Sequence, residues 1–408
     1  MYVKLALRNI FRNRSRSLIT LLAIGSGAVA LIMAGGFIED TLTRAKEDYI
    51  HAFLGHVRVY PRGFLEEGLL HPFDHLIAQP EELIRELRHV PHVLYAAPRL
   101  SFAGLLSTGE STVSFFAEGI DPQVENAERS TAHLESGTYL QGKNDYQMLL
   151  GKGLAKAMGI RAGDAITVVT NTKRGAINAA DMSVQGIFAT SDKAYDDRTA
   201  RLPLAIAQKL LRADDVQTII VFLDETAHTA EVKSAMERLL RNKGYPYEVK
   251  AWYELEEADF VVKAMAFYQR IFFVLKMIIW AVVTLSITNT MNMSVLERIG
   301  EIGTLMALGT RRRGIATLFL LEGVFLGVLG GIFGGLAGCA LAIIISRIGI
   351  PMPSPPGSTM VWIARIAVTP GALGAAFTMA LATALIASVV PAHRASRLDI
   401  GDALRHNI

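Results

Sequence analysis

Three groupings in this 408-residue chain have residue types that could do chemistry, and each lacks a part that the chemistry needs. Gly137 to Asn144 (GTYLQGKN) spells GxxxxGK, the glycine-rich loop whose backbone amides cradle phosphates while its lysine reaches them. Asn144 stands where a Ser or Thr hydroxyl would hold magnesium, and no apolar strand leads into the segment, so it reads as a structural turn. A second Gly-Lys pair, Gly151 and Lys152, has Tyr146 in place of the first glycine and Gly153 after the lysine. It reads as a short helix from Lys152, a turn at Gly163 and Asp164, and a strand from Ala165. His71 and His75 share the i, i+4 spacing of a helical metal pair, yet Pro72 lies between them and no cysteine is near. These and the other histidines are expected to be solvated or locally bonded, with no metal site. Neither GxSxG nor HExxH occurs, so the chain is read as a non-enzyme without catalytic residues.

The strongest patterning is apolar. Four runs, Ser17 to Ile38, Met277 to Leu296, Gly314 to Ser346 and Ile366 to Ala392, are each long enough to cross a bilayer. About 20 helical residues at about 1.5 Å rise cover roughly 30 Å of hydrocarbon. The stretch 39–270 between the first two is of soluble composition and long enough for one or two domains with their own core. Lys4, Arg8, Arg12, Arg14 and Arg16 precede the first run without an acid, and Arg298 and Arg311 to Arg313 follow the second. The loop after the third has only Arg347 and Arg365. The positive-inside rule then puts the N-terminus, the 297–313 loop and the C-terminal tail in the cytoplasm, and 39–270 outside.

Charge divides the same way. Residues 39–270 hold 26 Lys plus Arg against 33 Asp plus Glu, while the rest of the chain holds 15 against 5. The basic excess therefore belongs beside anionic head groups, and no basic stripe with interleaved aromatics points to nucleic acid. The one cysteine, Cys339, lies within the third run and excludes an intrachain disulfide. The first run exceeds the h-region of a cleaved signal and is read as a retained anchor.

Within 39–270, strand-like and helix-like segments alternate, which predicts a mixed α/β fold. Strands are expected at His56 to Tyr60, Val93 to Leu106, Val113 to Glu118, Ala165 to Val169, Ser183 to Phe188, Thr218 to Leu223 and Tyr247 to Ala251. Helices are expected at Pro80 to Val90 and Thr229 to Asn242. From Glu254 to Val295 no Pro or Gly occurs, predicting a continuous helix into the second run, with two helices joined by a kink as the alternative. Pro351 to Gly357 (PMPSPPG) reads as an extended loop.

In the loop SVLERIGEIGTLMALGTRRRG, Val295, Ile299, Ile302, Leu305 and Met306 form one apolar stripe, Gly309 ends the helix, and three arginines follow. Such an amphipathic helix can lie on lipid or dock into a partner groove, and its two acids favour a protein partner. At this point the chain resembles the type VII ABC transporter permeases, whose FtsX-like membrane domain is shared by the lipoprotein-releasing LolC and LolE subunits, the MacB exporters and FtsX. The resemblance rests on Asn289 to Gly314, the third run with Glu322 (LLEGVFLGVLGGIFGGLAG), Pro391 to Arg405 (PAHRASRLDIGDALR), Leu7 to Arg14 (LRNIFRNR) and Leu150 to Val168 (LGKGLAKAMGIRAGDAITV). The layout is nearest LolC and LolE.

The resemblance implies a four-helix membrane protein, one plus three, with a large mixed α/β extracytoplasmic domain inserted after the first helix. Its parts are 1–38 (basic N-terminus and first helix), 39–270 (extracytoplasmic domain) and 271–408 (FtsX-like domain with a coupling helix at 295–308 and a cytoplasmic tail). It also implies a second permease subunit, identical or not, and a cytoplasmic ABC ATPase dimer carrying ATP and magnesium, with no cofactor on this chain. Contact with the ATPase would fall to Glu297, Arg298, Glu301, Leu305, Gly309, Arg311, Arg312 and Arg313. The function implied is release of a lipoprotein or another amphiphile from the inner membrane, with a periplasmic adaptor as a possible partner. Alternatives are FtsX-like mechanotransmission and MacB-like efflux. The chain's incomplete phosphate loop leaves the ATPase to a separate chain.

Glu322 is expected near the cytoplasmic end of its helix in a structural role. Glycines spaced as GxxxG, such as Gly323, Gly327 and Gly331, permit close helix packing. Phe37, Ile38, Phe267, Tyr268, Ile271 and Phe272 gather bulky apolar groups at the outer ends of the first two spans, as an acyl-chain pocket or as simple packing and lipid anchoring.

Overall fold

The computed structural model of the chain describes residues 2–12, 14–68, 71–127, 133–352 and 362–398. Most of the Pro351 to Gly357 loop and the tail from 399 lie outside the described residues. The principal helices are α1 (Tyr2–Arg12), α2 (Arg14–Tyr49), α3 (Pro80–Leu87), α4 (Lys152–Met158), α5 (Leu204–Leu211), α6 (Thr229–Lys243), α7 (Asp259–Glu297), α8 (Ile299–Ala307), α9 (Arg312–Ile348) and α10 (Pro370–Ser396). Strands of the large sheet are β1 (Val57–Pro61), β2 (Val93–Ser107), β3 (Thr112–Ile120), β4 (His133–Gly137), β5 (Gln147–Gly151), β6 (Ala165–Asn171), β7 (Ile177–Ala189), β8 (Thr199–Pro203), β9 (Thr218–Leu223) and β10 (Tyr247–Ala251). The chain divides into two compact units: residues 1–43, 265–352 and 363–408 form one, and 44–264 with 353–362 form the other.

In the inserted unit, the order β10-β1-β9-β2-β3-β8-β5-β7-β4 forms one mixed sheet, with β6 pairing β2 and β7. The long β2 changes partner along its length, lying antiparallel to β9 over Val93 to Arg99 and to β3 over Leu100 to Ser107. Each half has its own core. On one side α3 buries Leu83 and Leu87, and α6 buries Val232, Met236 and Leu240, against Val57, Ile219 and Val221. On the other, α4 and α5 cover Leu106, Phe115, Met148 and Val168. All seven expected strands form, while β4, β5 and β8 were not legible in the sequence. β5 and β8 are short and buried on both faces, so neither shows the alternation that marks a half-exposed strand. The GTYLQGKN segment leaves β4 at Gly137 and continues as an irregular connection with a bend toward β5, entering no helix, so it lacks the loop-to-helix geometry of a phosphate loop.

Among the described residues, four helices are long and apolar enough to span a membrane: α2, α7, α9 and α10. α7 is one unbroken helix, so the kinked alternative does not occur. α9 uses its glycines on two faces. A Cβ at Gly327 would come 2.9 Å from Ala384 Cβ on α10, and one at Gly334 would come 2.7 Å from Ala28 Cβ on α2. Gly331 faces Phe377 and Gly338 faces Ile32, so the two stripes let α9 lie close to both neighbours.

Candidate functional site

The expected coupling helix at 295–308 is two pieces. α7 ends at Glu297, Arg298 leaves helical geometry (φ −112°, ψ 16°), and α8 runs from Ile299 until Leu308 and the left-handed Gly309 (φ 94°) end it. The break lets the Arg298 side chain turn inward. Glu322 on α9 is 6% exposed, and Arg298 donates to it from Nη1 at 3.0 and 3.4 Å while Asn9 of α1 donates from Nδ2 at 2.7 Å. Arg298 Nε also donates to Glu301 at 3.1 Å, and its guanidinium lies 5.6 Å from the Phe319 ring centroid. Arg12 pairs with Glu301 from the other side, and Arg16 pairs with Glu297. Partial burial works to raise the Glu301 pKa, but hydrogen bonds from Arg298 and Arg12 outweigh it and hold the carboxyl below its ordinary value. α1 is thereby tied to both α8 and α9.

This geometry sorts the expected ATPase-facing residues. Arg298 is buried and serves the chain's own packing, so it offers no free side chain at the surface. Leu305 packs partly on the core that also buries Val295, Ile302 and Met306, because the apolar stripe faces the chain's own helices. Glu297 and Glu301 are exposed but engaged by Arg16 and Arg12. Gly309, Arg311, Arg312 and Arg313 are exposed. Leu308, at 80% exposure the barest large apolar residue of the loop, was not singled out because it falls off the stripe.

A cavity of about 460 Å³ opens between α2, α7 and α10, lined by Ile38, Glu39, Gln269, Phe272, Lys276 and Met379 among others. Two of the six residues expected on an acyl path, Ile38 and Phe272, are in its wall. Phe37 is half-buried outside it, and Phe267, Tyr268 and Ile271 are exposed on α7 outside its wall. Helical phase decides this, since neighbours along α7 point about 100° apart. The sequence reading missed the polar lining, where Lys276 Nζ sits 4.9 Å from the Phe272 ring centroid, and the small residues Gly371, Ala372, Ala375 and Ala376 that leave the room.

In the inserted unit, folding assembles a buried charge network. Arg201, 1% exposed, donates to the Tyr195 hydroxyl at 2.9 and 3.1 Å, to Glu125 and to the backbone carbonyl of Ala52. Arg99 donates to Glu118 at 2.9 Å and Glu125 at 3.3 Å, and Tyr195 donates to Glu118 at 2.6 Å. Burial works to raise the Glu118 pKa, but Arg99 and Arg201 outweigh it and keep the carboxyl ionised. Arg58 donates to the Leu54 carbonyl at 2.7 Å. Two guanidinium groups thus satisfy carbonyls of the π-turn, Ile50–Leu54, that follows α2. The histidines expected to be solvated or locally bonded include two pairs that folding brings together, His51 with His56 and His92 with His228.

The family described as MacB-like periplasmic core domain matches residues 17–239, and that described as FtsX-like permease C-terminal matches residues 273–400. An uncharacterized ABC transporter permease of Methanocaldococcus jannaschii is 25% identical over 365 residues, covering 86% of each chain. The lipoprotein-releasing system transmembrane protein LolE of Haemophilus influenzae is 22% identical over 401 residues, covering 92% of this chain and 91% of LolE. The macrolide export ATP-binding/permease protein MacB of Hyphomonas neptunium is 26% identical over 414 residues, and the chain spans 97% of itself but 59% of MacB. With a mixed α/β insertion after the first of four apolar helices and both family matches in order, the chain belongs to the ABC transporter permeases that join a MacB-like periplasmic core domain to an FtsX-like domain.

Proposed function

We propose that this permease releases a lipoprotein or similar amphiphile from the inner membrane, driven by a cytoplasmic ABC ATPase dimer that carries ATP and magnesium on separate chains. The observation that carries the reading is the 460 Å³ cavity among spanning helices, whose apolar wall holds Phe272 and Ile38 and whose polar edge holds Glu39, Gln269 and Lys276. An acyl chain fits the first part and a polar head the second. The match along nearly all of LolE supports a lipoprotein over a small efflux substrate. Exposed Leu308 with Arg311 to Arg313 is the surface we assign to the ATPase, on the cytoplasmic side with both termini. A second permease subunit would cover α7, of whose most apolar stretch only 6% is buried, against 28 to 33% for the other three spans.

One observation favours a second reading, mechanotransmission to a periplasmic partner. Arg201 and Arg58 fix the turn after α2 into the sheet, which would carry helix movement into the inserted unit. A photocrosslinker at Phe272 separates the two. Capture of a lipid-modified protein in cells, with ATP hydrolysis blocked, supports release; crosslinks to a permease partner and bulk lipid alone remove that support and favour transmission.

A further inference from the structure

Among the described residues, two clusters of side chains that could hold a metal ion form in the inserted unit, Glu47 with His51 and His56, and His92 with Asp224 and His228, each with ligand atoms within 4.8 Å of one another. The first is already committed. The Leu223 N–H donates to His56 Nδ1 at 3.2 Å, which leaves the proton on Nε2 to donate to Thr226 Oγ1 at 3.0 Å, and the Thr226 hydroxyl donates to Glu47 at 2.7 Å. An ion on His56 Nδ1 would orphan a buried backbone amide.

The second cluster carries no such obligation. The antiparallel register sets Val93 opposite Leu223, and the Asp224 N–H donates to the His92 carbonyl at 3.1 Å, so the sheet itself brings His92 to Asp224. His92 has φ 71°, a left-handed conformation that a non-glycine residue keeps only where its surroundings hold it. The turn Thr226–His228 returns His228 to the same place, its ring centroid 3.7 Å from that of His92. Both Nδ1 atoms lie 2.8 Å from Asp224, one at each carboxylate oxygen. That separation is a hydrogen-bond length, and a tetrahedral shell with ligands about 2.0–2.2 Å from a central ion has edges of about 3.3–3.6 Å, so an ion would take the place of the two hydrogen bonds and spread the three groups by about 0.5 Å or more. The Glu225 N–H, 2.7 Å from Oδ1, can stay on the remaining lone pair, and each neutral imidazole can move its proton to Nε2, so an ion would orphan no donor.

We propose that His92, Asp224 and His228 bind one divalent first-row transition ion, with zinc as the probe. Two imidazoles and one carboxylate select such an ion over magnesium or calcium. The ion would pin the end of the β2–β9 ladder to the turn that opens α6.

The test uses the full-length protein, purified metal-free in detergent and dialysed against zinc. One zinc per chain is expected, with a zinc-dependent rise in melting temperature. His92→Asn, which tolerates the left-handed backbone, and His228→Gln, which can still donate to Asp224, should each weaken zinc binding by more than the roughly 10- to 100-fold that loss of an outer-shell partner costs. His51→Gln, in the committed cluster, should leave it unchanged. The absence of saturable zinc binding by the wild type, unchanged binding in the His92→Asn/His228→Gln pair, or loss of binding in His51→Gln would each overturn the assignment.

Discussion

Glu322 and Arg298 are the residues on which the end of the membrane unit beside α1 and α8 depends, because neither charge can be left alone among α1, α7 and α9. Glu322→Gln should destabilise the detergent-solubilised protein by about 3–5 kcal/mol, whereas the Glu322→Met/Arg298→Met pair should recover most of that loss, since removing both charges leaves none uncompensated. Thermal melting of the three proteins measures the difference, and a double variant no better than the single would show that the pair matters for something other than charge compensation. His56 offers a pH-dependent counterpart in the inserted unit. Burial keeps it neutral, with its pKa pushed down from 6.5 to about 4, so the unfolded chain takes up a proton first as pH falls. The stability this contributes is present above about pH 6.5 and is lost as pH falls toward 4. Asp196 works oppositely, because burial raises its pKa from 3.8 to about 6 and its fold favours the protonated form. Comparing wild type with His56→Gln cancels that second effect. The stability advantage of the wild type over the variant should shrink by about 3 kcal/mol between pH 7 and pH 4.

Among the elements, α8 and α9 divide the work. Because the apolar stripe of α8 faces inward, Leu305→Asp should lower folding yield, while Leu308→Asp should leave expression and melting near wild type and uncouple ATP hydrolysis from transport. Reconstituted ATPase and release assays read the distinction; full transport by Leu308→Asp would move the ATPase contact elsewhere. Along α9 the cost of a side chain should follow the neighbour it meets. Gly327→Val and Gly334→Val force groups against α10 and α2 at under 3 Å and should each cost about 1–3 kcal/mol, whereas a Cβ at Gly335 meets nothing within 4 Å and Gly335→Ala should be neutral or slightly stabilising. Equal losses at all three positions would mean that the glycines serve flexibility and not approach.

For the whole molecule the governing quantity is the side of the membrane on which each unit lies. A cysteine at Glu110, in the exposed turn between β2 and β3, should react with an impermeant thiol reagent in intact spheroplasts, while one at Thr310, after α8, should react only after permeabilisation. Cys339, within α9, is the native thiol that the reference sample must account for. Reversed labelling would invert the orientation and move the ATPase surface to the other face.

What the sequence determined alone was everything set by composition along the chain. Apolar length marks four spans, basic residues mark their flanks, and the β-branched and aromatic content of β1, β2, β3, β6, β7, β9 and β10 and the 3.6-residue period in α3 and α6 are local signals that tertiary packing had no reason to override. The glycine spacing of α9 likewise announced close packing, though not which neighbour each glycine meets. The tertiary structure alone decided the rest, because the deciding contacts join residues distant in the chain. Arg298 became an internal cation only when α9 brought Glu322 beside it, and the apolar stripe of α8 turned inward with it. Phe272 entered the cavity wall while Phe267 and Tyr268 turned away through helical phase against α2 and α10. Arg201 and its partners, and the meeting of His92 with Asp224 and His228, depend on strand register, a long-range choice that no local pattern of residues encodes.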